Sequence, residues 1–138
     1  MSLFKLFDVA STGLAAQSVR LNLVSSNLAN AESVSSSVGQ TYRARHPVFA
    51  AVYEGERDDP AASAGVSVLG VVESETPLRA DYRPEHPLAD ERGYIYRPNI
   101  NVVEELANMI SASRSYETNL EVISTSKQLL QRTLSLGQ

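Results

Sequence analysis

The chain of 138 residues contains no cysteine and no tryptophan, only two histidines and six prolines. Without cysteine there are no disulfide staples and no thiolate metal sites. That absence fits a cytosolic protein, and equally one that must cross a membrane unfolded without being trapped by stray disulfides. No stretch approaches the roughly 20 uninterrupted apolar residues needed to span a bilayer, so membrane insertion is not expected. A cleavable signal peptide is not expected either, because Asp8, Gln17 and Arg20 interrupt the N-terminal apolar pattern. No cluster of Lys and Arg offers a phosphate footprint, which argues against nucleic acid as a partner. The chain also lacks a nucleophile elbow, a phosphate-cradling glycine loop and a His-Glu-x-x-His pattern.

Proline is confined as well as scarce. All six prolines lie between residues 47 and 98, and four of the seven glycines lie between 39 and 70. On either side of this insert runs an apolar seven-residue beat. In the first arm it comprises Leu3, Phe7, Ala10, Leu14, Leu21, Val24, Leu28 and Ala31, broken by Gln17. In the second it comprises Val102, Leu106, Met109, Tyr116, Leu120, Ile123, Leu130 and Leu134, broken by Ser113 and Lys127. A repeat of about 3.5 residues marks helices that wrap around a partner helix. The spacing predicts helices over 3–31 and 102–134, roughly 43 and 50 Å long at about 1.5 Å per residue.

The fold class expected is α+β, with two long terminal helices paired as an antiparallel coiled coil and a small antiparallel β insert between them. The parts are an N-terminal arm (1–32), a β- and turn-rich insert (33–101) and a C-terminal arm (102–138). The net charge of −4 sits mainly in the insert, which holds ten acids and seven bases; the arms hold two of each and four against three. Nearly neutral arms can pack against copies of themselves without strong self-repulsion.

Within the insert, 48–53 and 66–72 are β-branched or aromatic runs bounded by turn residues and read as strands. Residues 54–65 between them read as a mobile loop. Two further edge strands are expected over 78–82 and 94–96. The insert's aromatics, Tyr42, Phe49, Tyr53, Tyr82, Tyr94 and Tyr96, are expected to form the core of the small sheet. Asn30 reads as a left-handed C-cap of the first helix, with a serine-rich run after it. Asn101 reads as the N-cap of the second, with Glu104 placed for a capping box. The second helix carries Asn108, Ser111, Ser115, Thr118, Thr125 and Gln128, weaker helix formers than the usual Glu–Lys pairs. Such an arm needs packing partners to be stable, and its small side chains permit close approach of another helix.

Groups for catalysis are thin. Asp81, Glu85, His86 and Asp90 form the one local cluster of acid/base or ligand type, with no second His or Cys to complete a metal site. Hydrated loop charges explain that cluster better than a hydrolase does. No catalytic residue, metal site or cofactor is assigned.

Three stretches carry a family resemblance: Ser26-Asn27-Leu28-Ala29-Asn30-Ala31; His86-Pro87-Leu88-Ala89-Asp90 leading to Gly93-Tyr94; and Pro98-Asn99-Ile100-Asn101 running into Met109-Ile110-Ser111-Ala112-Ser113-Arg114-Ser115-Tyr116-Glu117-Thr118-Asn119. Together they resemble the bacterial flagellar rod and hook axial proteins, most closely the short proximal-rod subunit. The resemblance covers about residues 1–32 and 78–138, and Arg83 stands where the family pattern has an acidic residue. It implies a subunit exported unfolded through the flagellar type III apparatus without a cleaved signal. Copies of the chain and other rod proteins would then stack helically into a hollow rod crossing the periplasm. Asn27, Asn30, Asn99, Asn101, Arg114, Tyr116 and Asn119 match motif positions. Capping explains Asn30 and Asn101, and packing explains Tyr116, while Asn27, Arg114 and Asn119 are expected to contact other subunits. The apolar positions Leu14, Leu21, Leu28, Leu106, Leu120 and Ile123 complete the expected interface. The rival reading is a secreted coiled-coil binding module or export chaperone.

Overall fold

A computed structural model describes residues 3–54 and 63–136. The expected loop at 54–65 falls largely outside the described residues. Helix α1 spans Leu3–Asn30 and helix α2 spans Val102–Leu136. Between them lie strands β1 (Arg45–Glu54), β2 (Ser63–Glu73), β3 (Arg79–Tyr82) and β4 (Tyr94–Arg97). The class is α+β, and the two terminal helices pack on each other along their lengths.

The helix ends follow from local hydrogen bonding. At the start of α2, Asn101 Oδ1 accepts the backbone N–H groups of Val103 and Glu104 at 3.1 and 3.4 Å. These are donors the first turn cannot satisfy internally. Among the described residues Glu104 makes no reciprocal bond, so the capping box is half formed. At the end of α1 the left-handed cap expected of Asn30 is not adopted, since no described non-glycine residue has positive φ. Instead Asn30 Nδ2 donates back to the Ser26 carbonyl at 2.8 Å, and the Ser33 hydroxyl donates to the Asn30 carbonyl at 2.8 Å. Side chains satisfy the last carbonyls there, so no backbone inversion is needed.

The insert forms two separate two-stranded sheets, where one small sheet was expected. Strands β1 and β2 make a long antiparallel ribbon from Arg45↔Glu73 to Glu54↔Ser63. Val48 pairs with Gly70 and Phe49 with Val68, so Leu69 is the extra residue of a bulge and projects into solvent. The ribbon leans on α1, where the Thr12 hydroxyl donates to the Val9 carbonyl and accepts the Val66 N–H at 3.1 Å.

Strands β3 and β4 pair from Arg79↔Arg97 to Tyr82↔Tyr94, and Ser35 extends this sheet by a bridge to Tyr96. The aromatics do not form its core: Phe49, Tyr53, Tyr82 and Tyr94 are all exposed. A two-stranded ribbon has too little area to enclose rings, so the buried residues gather where the insert meets the helices. They are Thr41, Ala44, Ile95, Pro98 and Ile100.

The β3–β4 connection turns on Gly93, at φ 81°, where an added Cβ would lie 2.9 Å from the Tyr82 ring. Gly93→Ala is therefore expected to lose about 1–2 kcal/mol through left-handed strain and that clash, seen as a lowered melting temperature. Asp90 organises the same turn. Its Oδ1 accepts the N–H groups of Arg92 and Tyr94 at 2.9 and 2.8 Å, and its Oδ2 accepts the Tyr96 hydroxyl at 3.1 Å. The Tyr94 N–H foremost, with those other donors, holds the carboxyl below its ordinary range. A carboxyl depressed in the folded state stabilises fully above its unfolded pKa and loses that contribution as pH falls through the folded value. Acidification below the ordinary carboxylate range should therefore loosen the turn. Tyr96 ring resonances should report it, and Asp90→Asn should abolish this acid-dependent change.

Two further members of the acid/base cluster are similarly engaged. Asp81 pairs with Arg97 at 3.2 Å, and His86 Nδ1 accepts the Leu88 N–H at 3.1 Å. No group of three or more potential metal ligands occurs among the described residues.

Candidate functional site

The helix pair is the feature the rest of the molecule is built around. Apart from Val24 its deepest residues are small or polar: Ala10, Ala16 and Asn27 from α1, and Glu105, Ala112 and Ser126 from α2. Asn27 meets Glu105 through a 3.2 Å hydrogen bond, and Gly13 lies so close to Asn119 that an added Cβ would be 3.0 Å from its amide nitrogen. These contacts are fourteen residues apart on each helix, which fixes an antiparallel seam in heptad register. Glu105, Ala112, Asn119 and Ser126 follow one another at seven-residue steps along the inner line of α2. Side chains of this size let the two backbones approach closely.

Asn27 is wholly buried, with all its side-chain hydrogen-bonding groups used inside the chain. Nδ2 donates to the Arg45 carbonyl at 3.0 Å and to Glu105 Oε2; Oδ1 accepts the Tyr42 hydroxyl and the Arg45 N–H, each at 2.9 Å. One amide thus ties α1 to α2 and to the start of β1. Burial pushes the Tyr42 hydroxyl pKa up, with Arg45, 5.4 Å above its ring centre, opposing the shift.

Asn99 does a parallel job from the other side. Its Oδ1 accepts the Ala44 N–H at 2.9 Å, and its Nδ2 donates to the Thr76 and Ser74 carbonyls at 2.8 and 3.3 Å. Residues 44 and 45 are therefore held between two asparagines that are 72 positions apart in sequence. Both motif asparagines knit one copy together, and neither Asn27 group is left for a second copy.

The remaining sequence-selected residues separate by depth. Leu14, Leu21, Leu28, Asn30, Tyr116, Asn119 and Ile123 are half-buried. Asn119 Nδ2 donates to the Ser115 carbonyl at 2.9 Å. Leu106, Leu120, Asn101 and Arg114 face solvent. The large apolar residues expected to close the mutual seam of the two arms therefore do so only in part. On α2, Val103, Leu106, Ile110 and Leu120 remain open, Ile110 at 58% and Leu120 at 50% exposure, with Leu134 open at the far end. Val103, Leu106 and Ile110 follow one another at heptad steps, and Leu120 and Leu134 lie on the same line beyond the polar Ser113, Glu117, Ser124, Lys127 and Gln131, while Val102 and Leu129 are open off it. The chain exposes 9471 Å², where a compact monomer of its mass exposes about 7,000 Å².

Sequence reasoning missed Glu105, Ala112 and Tyr42. The signal for the first two was a heptad line of small and polar residues, invisible to a search for large apolar ones.

Comparison with known proteins finds family matches at both helical ends of the chain. Residues 7–34 match the family described as flagella basal body rod protein, and residues 91–136 match the flagellar basal body rod FlgEFG protein C-terminal family. The chain is 48% identical to flagellar basal-body rod protein FlgC of Salmonella typhimurium over 138 residues, covering both chains completely. It is 45% identical to the FlgC of Yersinia enterocolitica, again over the whole of both. Identity to the FlgC of Borreliella burgdorferi is 37%, covering 100% of this chain and 99% of the relative. With motif asparagines pinning a paired-helix frame and identity running end to end, the chain belongs to the FlgC family of flagellar basal-body rod proteins.

Proposed function

We propose that the chain is a structural subunit of the flagellar basal-body rod, in its proximal segment, and that it works by polymerising through its helical arms and not by catalysis. The observation that carries this reading is the open stripe on α2. A helix already paired through a small-residue seam still presents Val103, Leu106, Ile110 and Leu120 to solvent. Covering each half-exposed Leu or Ile contributes about 1 kcal/mol. In the polymer, copies of this chain and other rod proteins would cover the stripe. The paired helices would form the wall of a hollow drive shaft across the periplasm, with the insert facing outward. Export through the type III apparatus without a cleaved signal suits this build, because a small, polar seam opens more readily than a leucine-filled one.

Leu120→Asp tests the reading. Leu120 is half exposed, so the monomer should retain its fold, while a carboxylate pressed against a neighbouring copy would lose its solvation. Expected is measurable secretion with incorporation into purified basal bodies reduced at least about tenfold, since each ~1.4 kcal/mol is a factor of ten. Motility at the unmodified level would remove the stripe from the assembly interface.

A further inference from the structure

Along its middle the β1–β2 ribbon has a face without a single polar side chain. Cross-strand pairing sets Pro47, Phe49 and Ala51 beside Val71, Val68 and Val66 there. The opposite face, with Val48 and Val52, has Ser67 as its one polar side chain over the same stretch, and Gly65 and Ser67 of that face lie beside Asp8 and Thr12 of α1. A strand pair with one side in water normally shows polar residues on that side, whereas unbroken apolar runs belong to strands covered on both. Phe49, Val66 and Val71 are nonetheless exposed. Of the twenty exposed large apolar side chains among the described residues, eight lie on this ribbon and seven on α2. The other five are divided among the start of α1, residue 38 and the β3–β4 turn, so the ribbon and α2 hold the two concentrations. Apolar patches of this kind mark contact surfaces.

The two surfaces stand on different sides of the molecule. The ribbon packs on α1, where Thr12, bonded to Val66, lies two residues past Ala10 and so about 200° round the helix from it. Val103 and Ile110 lie two residues before the inner-line Glu105 and Ala112, again about 200° round α2. One copy's ribbon therefore cannot cover its own stripe. Area points to a second copy. The exposed 9471 Å² exceeds that of a compact chain by about 2,400 Å². A specific contact takes about 800 Å² from each partner, so a single self-paired patch would leave most of the surplus open. A contact joining two different patches uses about 1,600 Å² of every copy. The lengths suit each other as well: the ten residues of β1 extend about 33 Å, and Val103 to Leu120 covers about 26 Å.

We propose that the apolar face of the β1–β2 ribbon docks on the open α2 stripe of a second copy of this chain. The contact is head-to-tail. It leaves a free ribbon at one end and a free stripe at the other, so it extends as an open helix instead of closing as a pair. The proposal rests on the assembly reading above and names the surface that meets the stripe.

Two measurements test it. Val71 is 48% exposed, so the Val71→Glu monomer should melt close to the unmodified protein. Its incorporation into basal bodies should fall at least about tenfold, because the carboxylate loses water at the contact. Incorporation at the unmodified level overturns the docking. If Leu120→Asp is excluded from rods in that case, assembly through the stripe stands and only its partner surface is wrong; if neither variant is excluded, the assembly reading falls as well. Cross-linking decides even if Val71→Glu fails to fold. The chain has no cysteine, so chains carrying Ala51→Cys and chains carrying Ile110→Cys, tagged to differ in mass, can be expressed together with the unmodified chain. A short bismaleimide added to isolated basal bodies should join the two tagged chains to each other. Dimers formed with either variant alone would mean that like surfaces meet, and a product with a protein of another mass would mean a different occupant. Either result, or no product, overturns the proposal.

Discussion

Replacing Asn27 by alanine is expected to destabilise the folded chain by about 3–5 kcal/mol, the range seen when a buried polar network loses its central partner. The truncation removes four hydrogen bonds at once and leaves the Tyr42 hydroxyl, the Arg45 N–H and carbonyl, and Glu105 Oε2 without that partner. The Arg45 groups can regain water by fraying the start of β1. Glu105, only 4% exposed, has no such recourse without opening the helix pair. The loss is a large part of the roughly 5–15 kcal/mol that holds a typical domain together, so the variant should unfold at a much lower urea concentration. Asn27→Asp keeps the shape but sets a second carboxylate against Glu105, and a comparable loss is expected. A urea midpoint unchanged by Asn27→Ala would mean that the seam and the insert are held together by something other than this amide.

The same residue shows where sequence reading succeeds and where it stops. Both arms were legible because proline is confined to 47–98 and an apolar beat runs through each end; the helices begin and end within about two residues of the expected positions. The β1 and β2 runs were legible from β-branched clusters between turn residues, although the ribbon is longer than expected. The depth of the seam was not legible. A 3.5-residue repeat says that a helix has a partner, but not whether the partner belongs to the same copy. Here the intramolecular contact takes the small residues, and part of the large apolar set faces outward. The role of Asn27 was hidden for a different reason. Its partners lie 15, 18 and 78 positions away, and a local pattern cannot tell a residue that pins one chain from a residue that contacts the next. The aromatics misled because their clustering in the insert suggested a core that a pair of two-stranded ribbons cannot enclose.

Ala112→Leu should be the most damaging change on α2. Ala112 is fully buried midway along the seam, between the Asn27–Glu105 contact and the Gly13–Asn119 approach. Leucine would bring three further carbons into a space without room for them. Overpacking costs about 1–3 kcal/mol where neighbours can shift. Here the neighbour is a second helix, and moving it stretches the Asn27–Glu105 bond one way along the pair and the Gly13–Asn119 contact the other. The expected result is a loss at the top of that range, with helix pairing disrupted even though leucine is a good helix former. Circular dichroism should show helix content falling at a lower temperature, and rod incorporation should fail with it. Gly13→Ala is the informative companion. Its new methyl would meet only the end of the Asn119 side chain, at 3.0 Å, and the helix gains about 1 kcal/mol from replacing glycine. That variant should therefore remain close to the unmodified protein. If Ala112→Leu melted alongside it, the helices would have to be held apart by larger residues, and the division between a small inner seam and a large outer stripe would fail.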